Sequence, residues 1–395
     1  MRHPNLVILA GVMVALLLAG CVSAPEREIS QNPPSYATLP NGHDPLNPAQ
    51  LSPVYDPSTS GIEEGFTRYL ERKHGRALNF LSLSGGGQNG AFGAGFLIGW
   101  REIGRRPEFD AVSGVSTGAL LATHAFLGAP ADDTVLEKMY TTVTKDDIYR
   151  SYGILDLALG RAHSLKDTAP FRALIAKYIT AETLERVAAA YNDNRFLWVG
   201  TTNIDYDQNW IWDMGRIAKD GHLELYRNVL LASASFPIVF PPVEIDGHLF
   251  VDGAARSNLI VAGTTGTERP KPPLYGPGNF YHIDNGRLEN PPEALRKALG
   301  DIAATTISVM MNSSMQATLA QSYFGARFLG YNFNMVAIPK DVTIGKDPLA
   351  FDPKQMRAVF DAGRALAKHP DPWSHVPPNL GDRPDWALEA MQELY

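Results

Sequence analysis

FDAVSGVSTGALLATHAFLG, residues 109–128, sets a short apolar run, a Gly-x-Ser-x-Gly turn and a helix-forming run in immediate succession. Ser116 stands at the centre of the turn, with Gly114 and Gly118 on either side. A sharp strand-to-helix turn lifts a serine hydroxyl out of the sheet, and it needs small neighbours because strand and helix backbones pass close together. The stretch just upstream has the same design. ALNFLSLS, residues 77–84, alternates as a strand, GGGQNG occupies 85–90, and AFGAGFLIGWREIG reads as a helix rich in small residues. Strand, Gly-rich loop, helix, strand, serine turn, helix is the order of an α/β domain with parallel strands.

The Gly-rich loop admits two readings. Gly85, Gly87 and Gly90 match G-x-G-x-x-G after a strand and before a helix, the dinucleotide-binding pattern. The acid that pattern needs about twenty residues later could only be Asp110, which precedes its apolar run instead of following it. No lysine of a phosphate-binding loop is present either. Consecutive glycines at a helix start also leave backbone N–H groups unpaired, with the helix dipole behind them. Gly85, Gly86 and Gly87 are therefore candidate donors to a developing oxyanion beside a Ser116 nucleophile.

A serine nucleophile requires a proton acceptor. In FPIVFPPVEIDGHLFVDGAARSNLIV, residues 236–261, Asp252-Gly253 closes the apolar run His248–Val251. LSLSGGGQNGAF, GVSTGAL, ASASFPIVFPPV and FVDGAARSNL, in that order, resemble the patatin-like phospholipase family, and WVGTTNIDYDQNWIWDM, Trp198–Met214, fits the strand pair between that family's two catalytic parts. The resemblance runs over about Ala77 to Asn258, and later stretches resemble the C-terminal portion of lipoprotein members. It implies a three-layer α/β/α sandwich with a mostly parallel central sheet, and a Ser–Asp dyad without a catalytic histidine. Ser116 would be the nucleophile, Asp252 the base, and Gly85, Gly86 and Gly87 the oxyanion hole. Asn89 stands where the family loop commonly carries arginine, a neutral residue where a cation would meet a lipid phosphate.

A Ser-Asp-His triad is the competing hydrolase reading, with His282, His369 and His375 as the late histidines. His282 lies in a strand-like apolar run, and the other two in the proline-rich HPDPWSH. His124, two turns along the helix after Ser116, reads as structural. Asp205 and Asp207 read as hairpin-turn residues, and Trp198, Trp210 and Trp212 as sheet-face packing. The sequence carries no metal-ligand motif and implies no cofactor.

The 395 residues carry a formal net charge of -7, which gives no general attraction to nucleic acid. Residues 1–20 read as a signal peptide, because Arg2 and His3 precede the apolar run Leu6–Ala19. Leu18-Ala19-Gly20-Cys21 resembles the lipobox of bacterial lipoproteins, in which the cysteine becomes a lipidated N-terminus; Cys21 is the only cysteine. Val22 follows it in place of an inner-membrane aspartate, so an outer-membrane anchor is expected. Residues 21–60, rich in Pro, Ser and Asn, read as a tether, and 61–395 as the acyl hydrolase domain. The expected partners are an acyl lipid or phospholipid substrate and the membrane that holds the anchor. A non-catalytic envelope lipoprotein keeping the fold as a scaffold is the alternative from another class.

Overall fold

The computed structural model describes residues 27–30, 34–38, 77–152, 164–260, 278–288, 299–345 and 347–381. The signal peptide, Cys21, most of the tether and the first residues of the acyl hydrolase domain, 61–76, lie outside them. The strands are β1 (Ala37–Thr38), β2 (Leu78–Leu83), β3 (Ala111–Val115), β4 (Arg150–Ser151), β5 (Lys166–Asp167), β6 (Phe196–Asn203), β7 (Gln208–Asp213), β8 (Val243–Ile245), β9 (His248–Asp252), β10 (Gly278–Asp284) and β11 (Asn332–Ala337). Among the described residues the main sheet runs β1-β7-β6-β3-β2-β10-β11, with β9 paired to β6 and β8 to β9. The five central strands β11, β10, β2, β3 and β6 are parallel. Strands β7, β9, β8 and β1 join antiparallel to their partners.

Parallel strands covered on both faces read as continuous apolar runs, and AVSGV in β3 is buried throughout. One face packs Leu83, Val112, Leu197 and Ile283 against the helices Gly90–Glu102, Thr117–Leu127 and Pro353–Leu366. The other packs Phe80, Phe280, Trp198 and Tyr331 under the 31-residue helix Leu299–Leu329 through Met315, Leu319 and Ala326. These are the three layers of an α/β/α sandwich. The chain moves from β2 through β3 to β6, then returns to the other side of β2 through β10 and β11. This reversal opens a crevice at the carboxyl ends of β2 and β10, the usual place for a ligand in such sheets. The Gly-rich loop leaves β2 there.

Part of the stretch read as a tether is docked on the domain. Ala37 is fully buried where β1 adds to β7, and the Tyr36 hydroxyl donates to Asp220 at 3.0 Å. Arg27 donates to the Gly247 carbonyl at 2.9 Å and pairs with Asp205. The boundary at residue 60 thus misses a short edge strand, which two residues cannot announce through alternation.

The serine turn depends on close backbone contact. A Cβ on Gly118 would lie 2.2 Å from the Leu83 carbonyl oxygen, and one on Gly114 2.3 Å from that of Gly118. Gly118→Ala is expected to destabilise the fold by about 2 kcal/mol or more through backbone displacement. Gly325→Ala, where nothing lies within 4 Å of the added carbon, is expected to stabilise it by about 0.5–1 kcal/mol through helix propensity. Thermal or denaturant unfolding of the two variants beside wild type checks both signs.

Candidate active site

Strand pairing brings Ser116 and Asp252 together. β3 pairs with β6 as far as Val115 opposite Gly200. β7 occupies the other edge of β6 from Trp198 to Asn203. β9 runs antiparallel to β6 and pairs at Thr201–Asn203, so it must use the edge that β3 has just vacated. Asp252, opposite Thr201, ends β9 one register position from where Val115 ends β3. The two carboxyl ends meet head-on, which brings the Ser116 hydroxyl close enough to the Asp252 carboxyl to favour its ionised form.

Ser116 has φ 55° and ψ -125°, a backbone conformation costing about 1–3 kcal/mol in a residue with a Cβ. Its surroundings hold it there. The Ser116 N–H donates to Ser233 Oγ at 2.9 Å, and that hydroxyl donates to the Gly200 carbonyl at 2.7 Å. The Ser116 carbonyl accepts from Ala119 at 2.9 Å as the next helix begins. Ser116 is half-buried and so reachable, while Asp252 is only 2% exposed. Burial dominates the carboxyl of Asp252 and pushes it up to about 7, although the Ser116 hydroxyl and the Ala254 amide, at 2.9 Å, favour its ionised form. A base that titrates near neutrality beside a strained serine is suited to taking its proton.

The Gly-rich loop divides into bound and open donors. Gly85 differs from expectation, because its N–H donates to Asn258 Oδ1 at 2.9 Å and is already occupied. Among the described residues the amides of Gly86, Gly87 and Thr117 have no acceptor. Gly86 and Gly87 are half-buried, as Ser116 is. From the far side of the crevice, Asn285 Nδ2 donates to the Ser84 carbonyl at 2.8 Å, and Asn285 Oδ1 accepts from Gly93 at 3.0 Å. Ser84 Oγ in turn donates to Asp284 at 2.9 Å. Asn258, Asn285 and Ser233 were not singled out from sequence. The only signals for them are that Asn258 falls within the FVDGAARSNL motif and Ser233 within ASASFPIVFPPV.

The other candidates lie apart from this centre. Asp110 accepts the Asn79 N–H at 2.7 Å at the amino end of β3, the wrong end of the sheet for a ribose. His282 Nε2 shares a 2.8 Å hydrogen bond with Ser322, and burial pushes its ring down to about 3. His369 faces the Asp371 carbonyl and His375 the Phe333 carbonyl. None of these three hydrogen-bonds Ser116 or Asp252. His124 joins Asp132 at 3.0 Å, and Asp132 also pairs with Arg186, a buried structural network. Asn89 is buried and neutral. No cluster of three or more His, Cys, Asp or Glu suited to a metal occurs among the described residues.

The sequence profile of the patatin-like phospholipase family matches residues 81–264, so that span is a patatin-like phospholipase domain. A domain of this family implies lipid acyl hydrolase activity. Among solved structures the chain is similar to VipD from Legionella pneumophila, at 13% identity and a TM-score of 0.33. That likeness covers 74% of this chain and 66% of VipD, just under two thirds of its length. Curated proteins provide no match.

A carboxyl raised from 3.8 to about 7 keeps its proton in the native state over a range in which the unfolded chain has lost it. Its contribution to stability is full below about pH 4 and is lost as pH rises through 7. Asp252→Asn cannot ionise and keeps the shape. Its Tm is therefore expected to gain on wild type as pH rises from 5 to 8, which parallel melts at the two values check.

Proposed function

We propose that the protein is a serine acyl hydrolase that cleaves carboxylic esters of acyl lipids through a Ser116–Asp252 dyad and an acyl-enzyme. The observation that carries this reading is the head-on meeting of a strained, half-exposed Ser116 with a buried Asp252. In the first half-reaction Ser116 Oγ attacks the acyl carbonyl carbon as Asp252 takes the hydroxyl proton. The Gly86 and Gly87 amides donate to the tetrahedral oxyanion, a contribution of about 3 kcal/mol for each well-aimed donor. Collapse of the intermediate breaks the ester C–O bond, and Asp252 returns the proton to the departing alcohol. Water then attacks the acyl-enzyme with Asp252 again as base, releasing the fatty acid and restoring Ser116.

Cys21 as a lipidated N-terminus would keep the domain at a membrane, the source of acyl lipid, and Val22 after it favours the outer membrane. Among the described residues no helix is long and apolar enough to cross a membrane. Mass spectrometry of the N-terminal peptide, expected to show a diacylated or triacylated Cys21, tests the anchor independently of catalysis.

Hydrolysis of a medium-chain p-nitrophenyl ester by the full chain tests the chemistry. Ser116→Ala and Asp252→Asn are each expected to lower kcat by about a thousandfold or more while remaining folded. Retained activity in Asp252→Asn would move the base elsewhere, and an inactive wild type would favour a scaffold. Because Asp252 acts as the ionised base, kcat/KM is expected to rise with pH and level off above about 7. A pH–rate profile on the same ester reads this directly.

A further inference from the structure

A second feature stands beside the catalytic centre. Lys145, Arg150 and Lys166 line a cleft of about 420 Å³ together with Tyr149, Ser151 and a single acid, Asp146. Among the described residues Lys145 and Arg150 have no carboxylate within ion-pair distance, and Lys166 donates to Ser151 Oγ at 2.8 Å. Of the neighbouring acids, Asp147 bonds Thr144 and Asp167 the Ala169 amide, so within the lining itself cations outnumber acids three to one in a chain whose net charge is -7.

Two exposed apolar side chains lie close by, Leu165 next to Lys166 in the chain and Ile238 bonded to Leu165. Leu165 is 48% exposed and Ile238 69% exposed, and their backbones are joined by the Leu165 N–H donating to the Ile238 carbonyl at 3.1 Å. Ile238 has φ 72°, a conformation a β-branched residue adopts only under constraint. The fold therefore holds an isoleucine in a strained backbone while presenting its side chain to solvent, which gains nothing from folding alone.

Two segments link the cleft to the Ser116 site. One is the turn at 237–240 that follows Ser235. The Ser235 carbonyl accepts the Asp252 N–H at 2.9 Å, and Phe240 lies 5.8 Å from the Tyr149 ring. The other is the loop at 347–350. Its Leu349 carbonyl accepts the Tyr149 hydroxyl at 3.1 Å, and its Pro348 carbonyl accepts the Gln88 N–H of the Gly-rich loop at 2.8 Å. The Gly-rich loop itself supplies no cation, since Asn89 is neutral and buried.

We propose that Lys145, Arg150 and Lys166 bind the phosphate of an anionic phospholipid headgroup while Leu165 and Ile238 enter the lipid surface, docking the enzyme on an anionic bilayer beside Ser116. Apolar tips ringed by cations are the arrangement that combines burial in the acyl boundary with attraction to anionic headgroups. The proposal rests on the acyl-lipid reading of the Ser116 site, and the test separates the two.

Binding is measured by flotation of the full chain carrying Cys21→Ser and Ser116→Ala, so that neither lipidation nor turnover intervenes. The vesicles are phosphatidylcholine alone and phosphatidylcholine with phosphatidylglycerol; any contribution of the N-terminal apolar run is common to both. The intact cleft is expected to bind the anionic vesicles about tenfold tighter or more at low salt, and Lys145→Glu/Arg150→Glu/Lys166→Glu to abolish that difference. Ile238→Asn relieves the strained backbone, so it is expected to raise Tm while weakening binding to the anionic vesicles, a pair of effects that unfolding cannot produce. An unchanged anionic preference after charge reversal, or unchanged binding by Ile238→Asn, would overturn the proposal. Inorganic phosphate that displaces the chain from vesicles at its own binding constant would assign the cleft to free phosphate and overturn the headgroup. In the chain with Ser116 restored, the charge-reversed variant is expected to hydrolyse a soluble p-nitrophenyl ester as wild type does; loss of ester hydrolysis in wild type itself counts against the acyl hydrolase reading alone.

Discussion

The carboxyl ends of β3 and β9 meet along one edge of β6, and the chemistry proposed for the molecule depends on that junction. One strand arrives parallel to β6 and the other antiparallel, so neither can run on without colliding. Each chain must leave the sheet at that point. β3 leaves through the sharp turn that holds Ser116 at positive φ, and β9 leaves through the short 3-10 turn Gly253–Ala255 that Asp252 caps. The same collision that forces two turns also presses a hydroxyl against a carboxylate. Ser233 secures the arrangement by linking the Ser116 amide to the Gly200 carbonyl, at the register position where one neighbour of β6 gives way to the other.

Burial then decides the electrostatics. The Asp252 carboxylate receives one amide and one hydroxyl, fewer partners than an ion in water would have, and desolvation outweighs both. Four other buried carboxyls, Asp110, Asp133, Asp213 and Asp284, are also raised, each to about 6. Their settings differ from that of Asp252. Asp110 is bound to the Asn79 amide, Asp133 sits between Arg101 and Arg106, Asp213 caps a helix, and Asp284 braces Ser84 behind the Gly-rich loop. A raised carboxyl in this protein is therefore no mark of catalysis by itself. Contact with a strained serine separates Asp252 from the rest.

The Gly-rich loop is gripped from two directions. Asn258 follows Asp252 and takes the Gly85 amide; Asn285 follows β10 and holds Ser84 and Gly93. The two asparagines come from opposite sides of β2, one for each direction in which the chain leaves the switch point. Gly86 and Gly87, the positions left open, are those nearest the exposed mouth, so the grip that occupies one donor also orients its neighbours.

Local pattern alone was sufficient for the strand–loop–helix units. Ala77–Gly104 and Phe109–Gly128 fold as their periodicity and glycines indicate, because their hydrogen bonds and their close contacts are set within a few residues of sequence or between adjacent strands. The serine, the aspartate that ends an apolar run and the glycines between loop and helix were legible for the same reason. Tertiary structure decided the rest. Which of three loop amides stays open depends on Asn258, distant in sequence and unmarked by any period. That Asp252 faces Ser116 follows from which edge of β6 is free for β9, and His282 meets Ser322 because the helix Leu299–Leu329 covers β10; both are properties of the assembled sheet. The cation cleft brings Lys145 and Arg150 beside Lys166 through pairing of β4 with β5, two strands too short to show an alternation. Sequence carries the chemistry that each residue offers, whereas strand order and burial determine which groups meet and in what state of charge.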